Sequence, residues 1–407
     1  MNFRESIEVK VLAIAKELEA PRFPSVSVFT GKAGEVLFFM NLYRYTGKEE
    51  YYEKAFTLLD EAMDLAFSQA GSFTYCSGLA GFGWFLSHLQ EYGYAEIDGQ
   101  EELLSQLDAY LYKFLQDDLN RRNLDLLHGA TGTAVYYLKR GNEKALDTYV
   151  NALAEQAIRE EDGSIKWPFH IHELEPEHFN FGLAHGIPAQ VSTLAQILLL
   201  KGEDPLVEEL LRGSVNYLMK NRRDVKPFES IFPISIKPEG RNRAVSSRMA
   251  WCYGDLGISC SLWTAAEALK DDELKKYVTF VMEHNVSRKE PKDTLLSNGG
   301  LCHGTAGIAL MFRRFFDLTG SQVLKNASDY WTGATMNMAV HGDKGIAGFL
   351  SHQGAYGWKK EYGVLSGAAG IGLWLLSYLD NSLTDWDQML RLPEYPVKVS
   401  KPEPVLA

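Results

Sequence analysis

Cysteine is scarce: the 407 residues hold four, Cys76, Cys252, Cys260 and Cys302. So few exclude a disulfide-built scaffold and leave metal binding or catalysis as the uses to test. Long apolar runs are missing too. The longest, such as residues 371–376, fall far short of the roughly 20 residues that span a bilayer. The first 20 residues have charges scattered through their apolar positions, so no secretory signal is expected. Basic charge is in deficit, with 41 Lys and Arg against 53 Asp and Glu, a formal net charge of −12. That argues against a nucleic-acid partner, which usually meets a basic face. A soluble protein of a reducing, cytoplasmic compartment is expected, with no transmembrane segment. Apolar residues make up 46% of the chain, enough for a large core and too many for a disordered polymer.

Glycine, by contrast, is patterned. A short motif recurs at Gly31–Gly34, Gly78–Gly81, Gly129–Gly132, Gly186–Ala189, Gly254–Gly257, Gly304–Gly307 and Gly367–Gly370. The steps between first glycines are 47, 51, 57, 68, 50 and 63 residues. Each motif opens a nearly continuous apolar run, the pattern of a helix buried on most sides. Several runs end at a glycine (Gly47, Gly93, Gly141, Gly202 and Gly320), which takes the left-handed conformation of a helix C-terminus without penalty. Between the runs lie amphipathic segments. In one, Tyr52, Phe56, Leu59 and Met63 share a helix face; others fall near residues 6–20, 99–119, 142–158, 203–221, 271–287 and 321–340. No long stretch alternates as a strand.

Seven pairs of one outer and one inner helix follow. An open stack needs polar caps at both ends, and the last copy is as apolar as the middle ones. The prediction is all-α: one domain over residues 1–407, an α/α toroid with inner and outer rings of seven helices each. The seven glycine motifs then share one pole, where the second glycine permits close helix approach. Two irregular segments, about 160–182 and 224–247, carry Pro168, Pro176, Pro227, Pro233 and Pro238 and are candidate lids or binding loops.

Reactive groups collect just ahead of the motif glycines. Copy five reads Trp251-Cys252-Tyr253-Gly254, copy six Cys302-His303-Gly304, and copy four Ala184-His185-Gly186. Copies five and six are neighbours, so Cys252, Cys302 and His303 can converge. Two thiolates and an imidazole form a three-ligand zinc site with an open position, the catalytic pattern. Such a site suits activation of a third thiol toward an electrophilic carbon. Cys76 and Cys260 lack an adjacent histidine and are expected to pack as small apolar residues.

The W-C-Y-G and C-H-G-x-A-G motifs, with their spacing and the seven repeats, make the chain resemble the lanthionine synthetase C-like family, whose cyclases close thioether rings in lanthipeptides. The resemblance implies an α/α toroid holding one zinc ion through Cys252, Cys302 and His303. It further implies that His185, Arg248, Asp125 and Tyr253 surround the zinc and assist proton transfer. The implied reaction adds cysteine thiolates of a dehydrated precursor peptide to dehydroalanine or dehydrobutyrine. No dehydratase domain is recognisable, so a separate dehydratase is the expected partner. An exporter is another possible partner, and association with a membrane would run through such proteins.

Roles for the four assisting residues follow from their chemistry. His185, with an ordinary pKa of about 6.5, suits proton transfer. Arg248 suits stabilisation of an enolate oxygen, or an ion pair with Asp125. Asp125 alternatively orients His185. Tyr253 offers a hydroxyl or simple packing. His170, His172 and His178 lie in a proline-rich acidic loop and read as solvated or lid residues. His88, His284, His341 and His352 carry no functional expectation. Two other classes stay open: a thiol- or glutathione-binding relative, and a toroidal glycosidase using Asp125 and Asp255 across a gap of about 5–10 Å.

Overall fold

The first glycine of each motif stands immediately before a helix in the computed structural model, which describes residues 1–19, 25–68, 72–95, 97–169, 178–237 and 246–394. The inner helices are α2 (Lys32–Thr46), α4 (Leu79–Tyr92), α6 (Ala130–Arg140), α8 (Ile187–Lys201), α10 (Asp255–Leu269), α13 (Thr305–Thr319) and α15 (Ala368–Leu379). The outer helices are α1 (Phe3–Leu18), α3 (Glu49–Ser68), α5 (Gln100–Asn120), α7 (Glu143–Gln156), α9 (Pro205–Lys220), α11 (Asp272–Asn285) and α14 (Gln322–Asn337), with a single extra turn at α12 (Pro291–Thr294). The remaining regular structure among the described residues is three short 3-10 turns and three antiparallel ladders of two residues per strand: β1 (Ile158–Arg159) with β2 (Ile165–Lys166), β3 (Phe179–Asn180) with β4 (Ser235–Ile236), and β5 (Ser351–His352) with β6 (Trp358–Lys359).

Outer helices pack behind the inner helix that precedes them: α3 on α2, α9 on α8, α11 on α10 and α14 on α13. The first helix, α1, instead backs the last inner helix, α15, and α15 packs on α2. The chain therefore closes on itself as an α/α toroid. Outer helices begin with side-chain caps at Asn142, Asp204 and Asp271, each worth about 1 kcal/mol. Inner helices begin at bare glycine and are capped by their own loops. The residue after the glycine donates its N–H to the carbonyl six residues before the glycine, as in Lys32→Ser25, Leu79→Ser72, Ala130→Asn123, Thr305→Asn298 and Ala368→Glu361. This folding-back leaves no room for a Cβ. At Gly370 one would sit 1.9 Å from the Val364 carbonyl oxygen and 2.9 Å from Leu301 Cδ1. The second motif glycine thus admits its own loop first and the neighbouring copy second. Inner helices end as expected, with positive φ at Gly47, Gly93, Gly141, Gly202 and Gly320; α10 uses Lys270 at φ 55° instead.

The loops are stitched to one another across the pole. In five of the seven copies the residue two before the first glycine donates its N–H to the same position in the next copy: Cys76→Leu127 (2.9 Å), Ala184→Cys252 (3.3 Å), Cys252→Cys302 (3.2 Å), Cys302→Leu365 (2.7 Å) and Leu365→Phe29 (3.0 Å). Copy seven therefore bonds to copy one, which brings Gly367 beside Gly31. At the copy-three to copy-four joint the donor Leu127 N–H turns to Asp125 instead.

The toroid is not hollow. After α15 the chain enters the ring as a 3-10 turn, Asp385–Leu390, and Leu383, Trp386, Met389, Leu390 and Leu392 are all buried there. All seven copies touch this plug. Arg44 of α2 pairs with Asp385 at 2.9 Å, Arg314 of α13 takes Asp387 through both carboxylate oxygens, and Lys139 of α6 reaches Gln388. Tyr75, Ser192, Trp251 and Ser377 bond to its residues from copies two, four, five and seven.

Candidate active site

Ring position decides which side chains meet. Residues two before the glycine include Cys252 and Cys302; residues one before include His128, His185, Tyr253 and His303. The ligand atoms of Cys252, Cys302 and His303 lie within 4.8 Å of one another. Both cysteines are buried. A hydrogen bond from the Cys302 thiol holds Cys252 well below the ordinary thiol range, with His303 and Arg248 adding to that pull against the cost of burial. Its bond to the Cys252 sulfur, with burial, pushes Cys302 well above that range. The three donors are a soft, tightly gathered set of the kind zinc takes.

Asp125 and His185 are joined, Oδ2 to Nδ1, at 2.6 Å. The other oxygen, Oδ1, accepts the N–H groups of Leu127 and His128, both at 2.8 Å. The carboxylate is therefore fixed before it meets the imidazole. Burial pushes the His185 imidazolium down, but the Asp125 hydrogen bond and charge, with Cys252, outweigh it and lift its pKa above the ordinary value. The Tyr253 ring centre lies 6.0 Å from that of His185, and its hydroxyl accepts from Asn180 Nδ2 at 2.9 Å. Burial raises the Tyr253 phenol, keeping it protonated. Arg248 makes no hydrogen bond or ion pair among the described residues, and its charge acts on Cys252, Cys302 and Tyr253. Asp125 is thus spent on His185 and not on Arg248. A cleft beside His185 is lined by Asn123, Asp125, Phe169, Asn180 and Gln190.

Other expectations land elsewhere. Asp255, read as a residue of the mouth, is fully buried and accepts the N–H groups of Ile231 and Phe232 and the Asn285 amide. It anchors a loop, and the carboxylate pair of a glycosidase is not assembled around it. Cys76 is buried in the core as expected; it also occupies the same ring position as the two candidate ligands, and burial, then Asp125, push its thiol up to about 12. Its register, two before Gly78, is the signal in the sequence that marks it. Cys260 is buried within α10. His170 and His172 lie outside the described residues, while the His178 backbone pairs with Phe169. The two irregular segments are tied together by β3 and β4, next to Asn180. His88 is buried against Trp84, 3.5 Å from Asp385 of the plug.

Residues 22–391 match the model of the family described as lanthionine synthetase C-like protein. The chain belongs to this family. Nisin biosynthesis protein NisC of Lactococcus lactis subsp. lactis is 22% identical over 386 residues, covering 86% of this chain and 89% of that protein. The solved structure of a nisin cyclase superposes with a TM-score of 0.75 at 20% identity, over 96% of this chain and 97% of its own. That likeness carries the toroid fold. No helix among the described residues is long and apolar enough to cross a membrane.

Proposed function

We propose that this family member is a zinc-dependent cyclase, which forms lanthionine or methyllanthionine by adding peptide cysteine thiolates to dehydroalanine or dehydrobutyrine. One observation carries the reading: the Cys252–Cys302–His303 cluster shares a pole with an Asp125–His185 pair joined at 2.6 Å, which raises the pKa of the imidazole. The comparison with a nisin cyclase supports it. Cys252, Cys302 and His303 would hold one zinc ion, and their donor set fits that metal. When bound, zinc supplies Lewis-acid activation of a substrate thiol at neutral pH.

The chain's own residues do the rest. Addition of sulfur to the β-carbon sends electrons to the carbonyl oxygen of the dehydro residue, making an enolate. Arg248, charged and without a partner among the described residues, stabilises that oxygen. His185 delivers a proton to the α-carbon, and Asp125 favours the protonated imidazole through its bond to Nδ1, leaving Nε2 for the substrate. Tyr253, protonated and fixed by Asn180, shapes the slot beside the imidazole. The substrate is a dehydrated precursor peptide, supplied by a separate dehydratase in the cytoplasm; an exporter would follow.

Cyclisation adds no mass, so the assay counts free thiols by alkylation on a dehydrated peptide. Thiols should disappear with zinc-loaded protein and persist with Cys302→Ala, which should also lose its zinc, whereas Cys260→Ala should keep it. A protein that binds thiols reversibly without consuming them is a thiol-binding relative instead. Full zinc content in Cys302→Ala would sink the ligand assignment.

A further inference from the structure

Two residues of the pole rest directly on the C-terminal plug, and they occupy the same register. Trp251 and Tyr75 each stand three before a first motif glycine. The Trp251 indole N–H donates to the Leu390 carbonyl at 2.7 Å, and the Tyr75 hydroxyl donates to the Met389 carbonyl at 3.1 Å. Both side chains are at most 1% exposed. Trp251 precedes Cys252, and the N–H groups of Trp251 and Cys252 both donate to the Cys302 carbonyl, at 3.1 and 3.2 Å. The indole therefore ends a rigid path from the plug tip to both cysteines. Tyr75 makes the equivalent path in copy two, where the next residue is Cys76 and no candidate ligand follows.

The plug itself is anchored from the opposite end of the ring. Arg44, near the C-terminus of α2, holds Asp385, and Arg314 of α13 holds Asp387. Asp385, Asp387 and both arginine partners are largely withdrawn from water, where loss of one partner is costly. The tip is fixed in turn: Arg391 takes φ 59°, closes the 3-10 turn, and donates from its buried guanidinium to the Ser192 carbonyl. The Leu390 carbonyl is thus a fixed point against which the Cys252 loop is set.

From this geometry we infer that the C-terminal plug is a positioning element of the metal centre, acting through the Leu390 carbonyl and Trp251 to set Cys252 against Cys302. The inference rests on the zinc reading above. Groups that orient metal ligands from behind commonly change metal affinity about 10- to 100-fold when removed.

The test pairs Trp251→Phe with Tyr75→Phe in the full chain. Each deletes one hydrogen bond to the plug, but only the first lies behind a ligand. Zinc affinity is read by competition with a chromophoric chelator, and ligand geometry by the thiolate charge-transfer absorption of the cobalt(II)-substituted protein. Trp251→Phe should bind zinc about 10-fold more weakly and shift the cobalt spectrum, while Tyr75→Phe should leave both at wild-type values. Thermal melts report the shared loss of stability. If Trp251→Phe does not fold, Leu390→Ala, which loosens the plug tip but keeps both bonding partners, is read against Tyr75→Phe in the same way. Equal changes in the paired variants, or none in Trp251→Phe, overturn the inference and leave the zinc reading standing. A wild-type chain with no zinc affinity overturns both.

Discussion

Replacing Asp125 by asparagine separates the tuning of His185 from the bracing of its loop. Asp125 Oδ1 accepts the N–H groups of Leu127 and His128, and an asparagine oxygen retains both. Alanine there would orphan two N–H groups at about 1–3 kcal/mol each if they stay buried. The difference falls on the other side of the group. In the variant an amide nitrogen replaces the oxygen that lies 2.6 Å from His185 Nδ1. An amide N–H only donates, so Nδ1 must accept, and the ring must be neutral with its proton on Nε2. A charge-assisted hydrogen bond worth about 1.5–3 kcal/mol is lost. In the wild type the folded pKa of His185 is raised. Its stabilising contribution is therefore complete below the unfolded value of about 6.5 and is lost as pH rises through the higher folded value. Without the carboxylate, only Cys252 still opposes burial and the folded pKa falls. The acid form is then depleted at neutral pH. Ring closure should slow by about 100- to 10,000-fold, and the alkaline limb of the pH–rate profile should move to lower pH, with zinc content unchanged. Thiol counting on a dehydrated peptide across pH 5–9, roughly the range in which imidazole titrates, measures this. A wild-type rate and profile in Asp125→Asn would refute the coupling of the carboxylate to His185.

Two further outcomes follow from other parts of the pole. Arg248→Met should keep its zinc and lower kcat by about 100- to 1,000-fold, the usual loss for one donor to a developing oxyanion; unchanged single-turnover rates would return Arg248 to a structural role. Gly370→Ala places a Cβ 1.9 Å from the Val364 carbonyl and should destabilise by about 1–3 kcal/mol or more, seen as a lower denaturation midpoint; an unchanged midpoint would mean that the loop can yield.

Much of this arrangement is legible in the sequence because the repeat enforces register. Helices need capping at their first turn, and here the loop supplies it by folding back over two glycines, so the glycines recur wherever an inner helix starts. That register alone assigns Cys252, Cys302, His303 and His185 to their ring positions. Cys76 packs in the core as a cysteine without an adjacent histidine is expected to, yet ring position also brings it near Cys302. Asp255, by contrast, misleads. It follows a motif glycine, but at the first helical position its side chain turns outward to the backbone of Ile231 and Phe232. The plug leaves no trace at all in the periodicity. Residues 383–392 belong to no copy, and Asp385 and Asp387 look like surface charges until Arg44 and Arg314 arrive from 341 and 73 positions away.

The pairing of Asp125 with His185 shows how a repeat can acquire chemistry without a new fold. Four residues before the first glycine, copies one and two carry Ser27 and Thr74, whose hydroxyls accept the N–H groups of Thr30 and Ser77 at 3.1 and 3.2 Å. Asp125 holds the same position in copy three and does the same work with Oδ1 on the His128 N–H. Those hydroxyls make their further bonds to neighbours in the same loop, Ser25 and Thr30 for Ser27 and Ser72 and Ser77 for Thr74. A carboxylate has two oxygens, and the second reaches across the joint to copy four. It does so where the main-chain stitch is broken, because the Leu127 N–H that would continue the ring is itself drawn to Oδ1. One side chain thus opens the ring at the joint beside the cleft and closes it again through an imidazole. The structural duty fixes the carboxylate with no freedom to turn, and that rigidity lets its remaining oxygen select the Nδ1–H form of His185 and leave Nε2 free of the carboxylate.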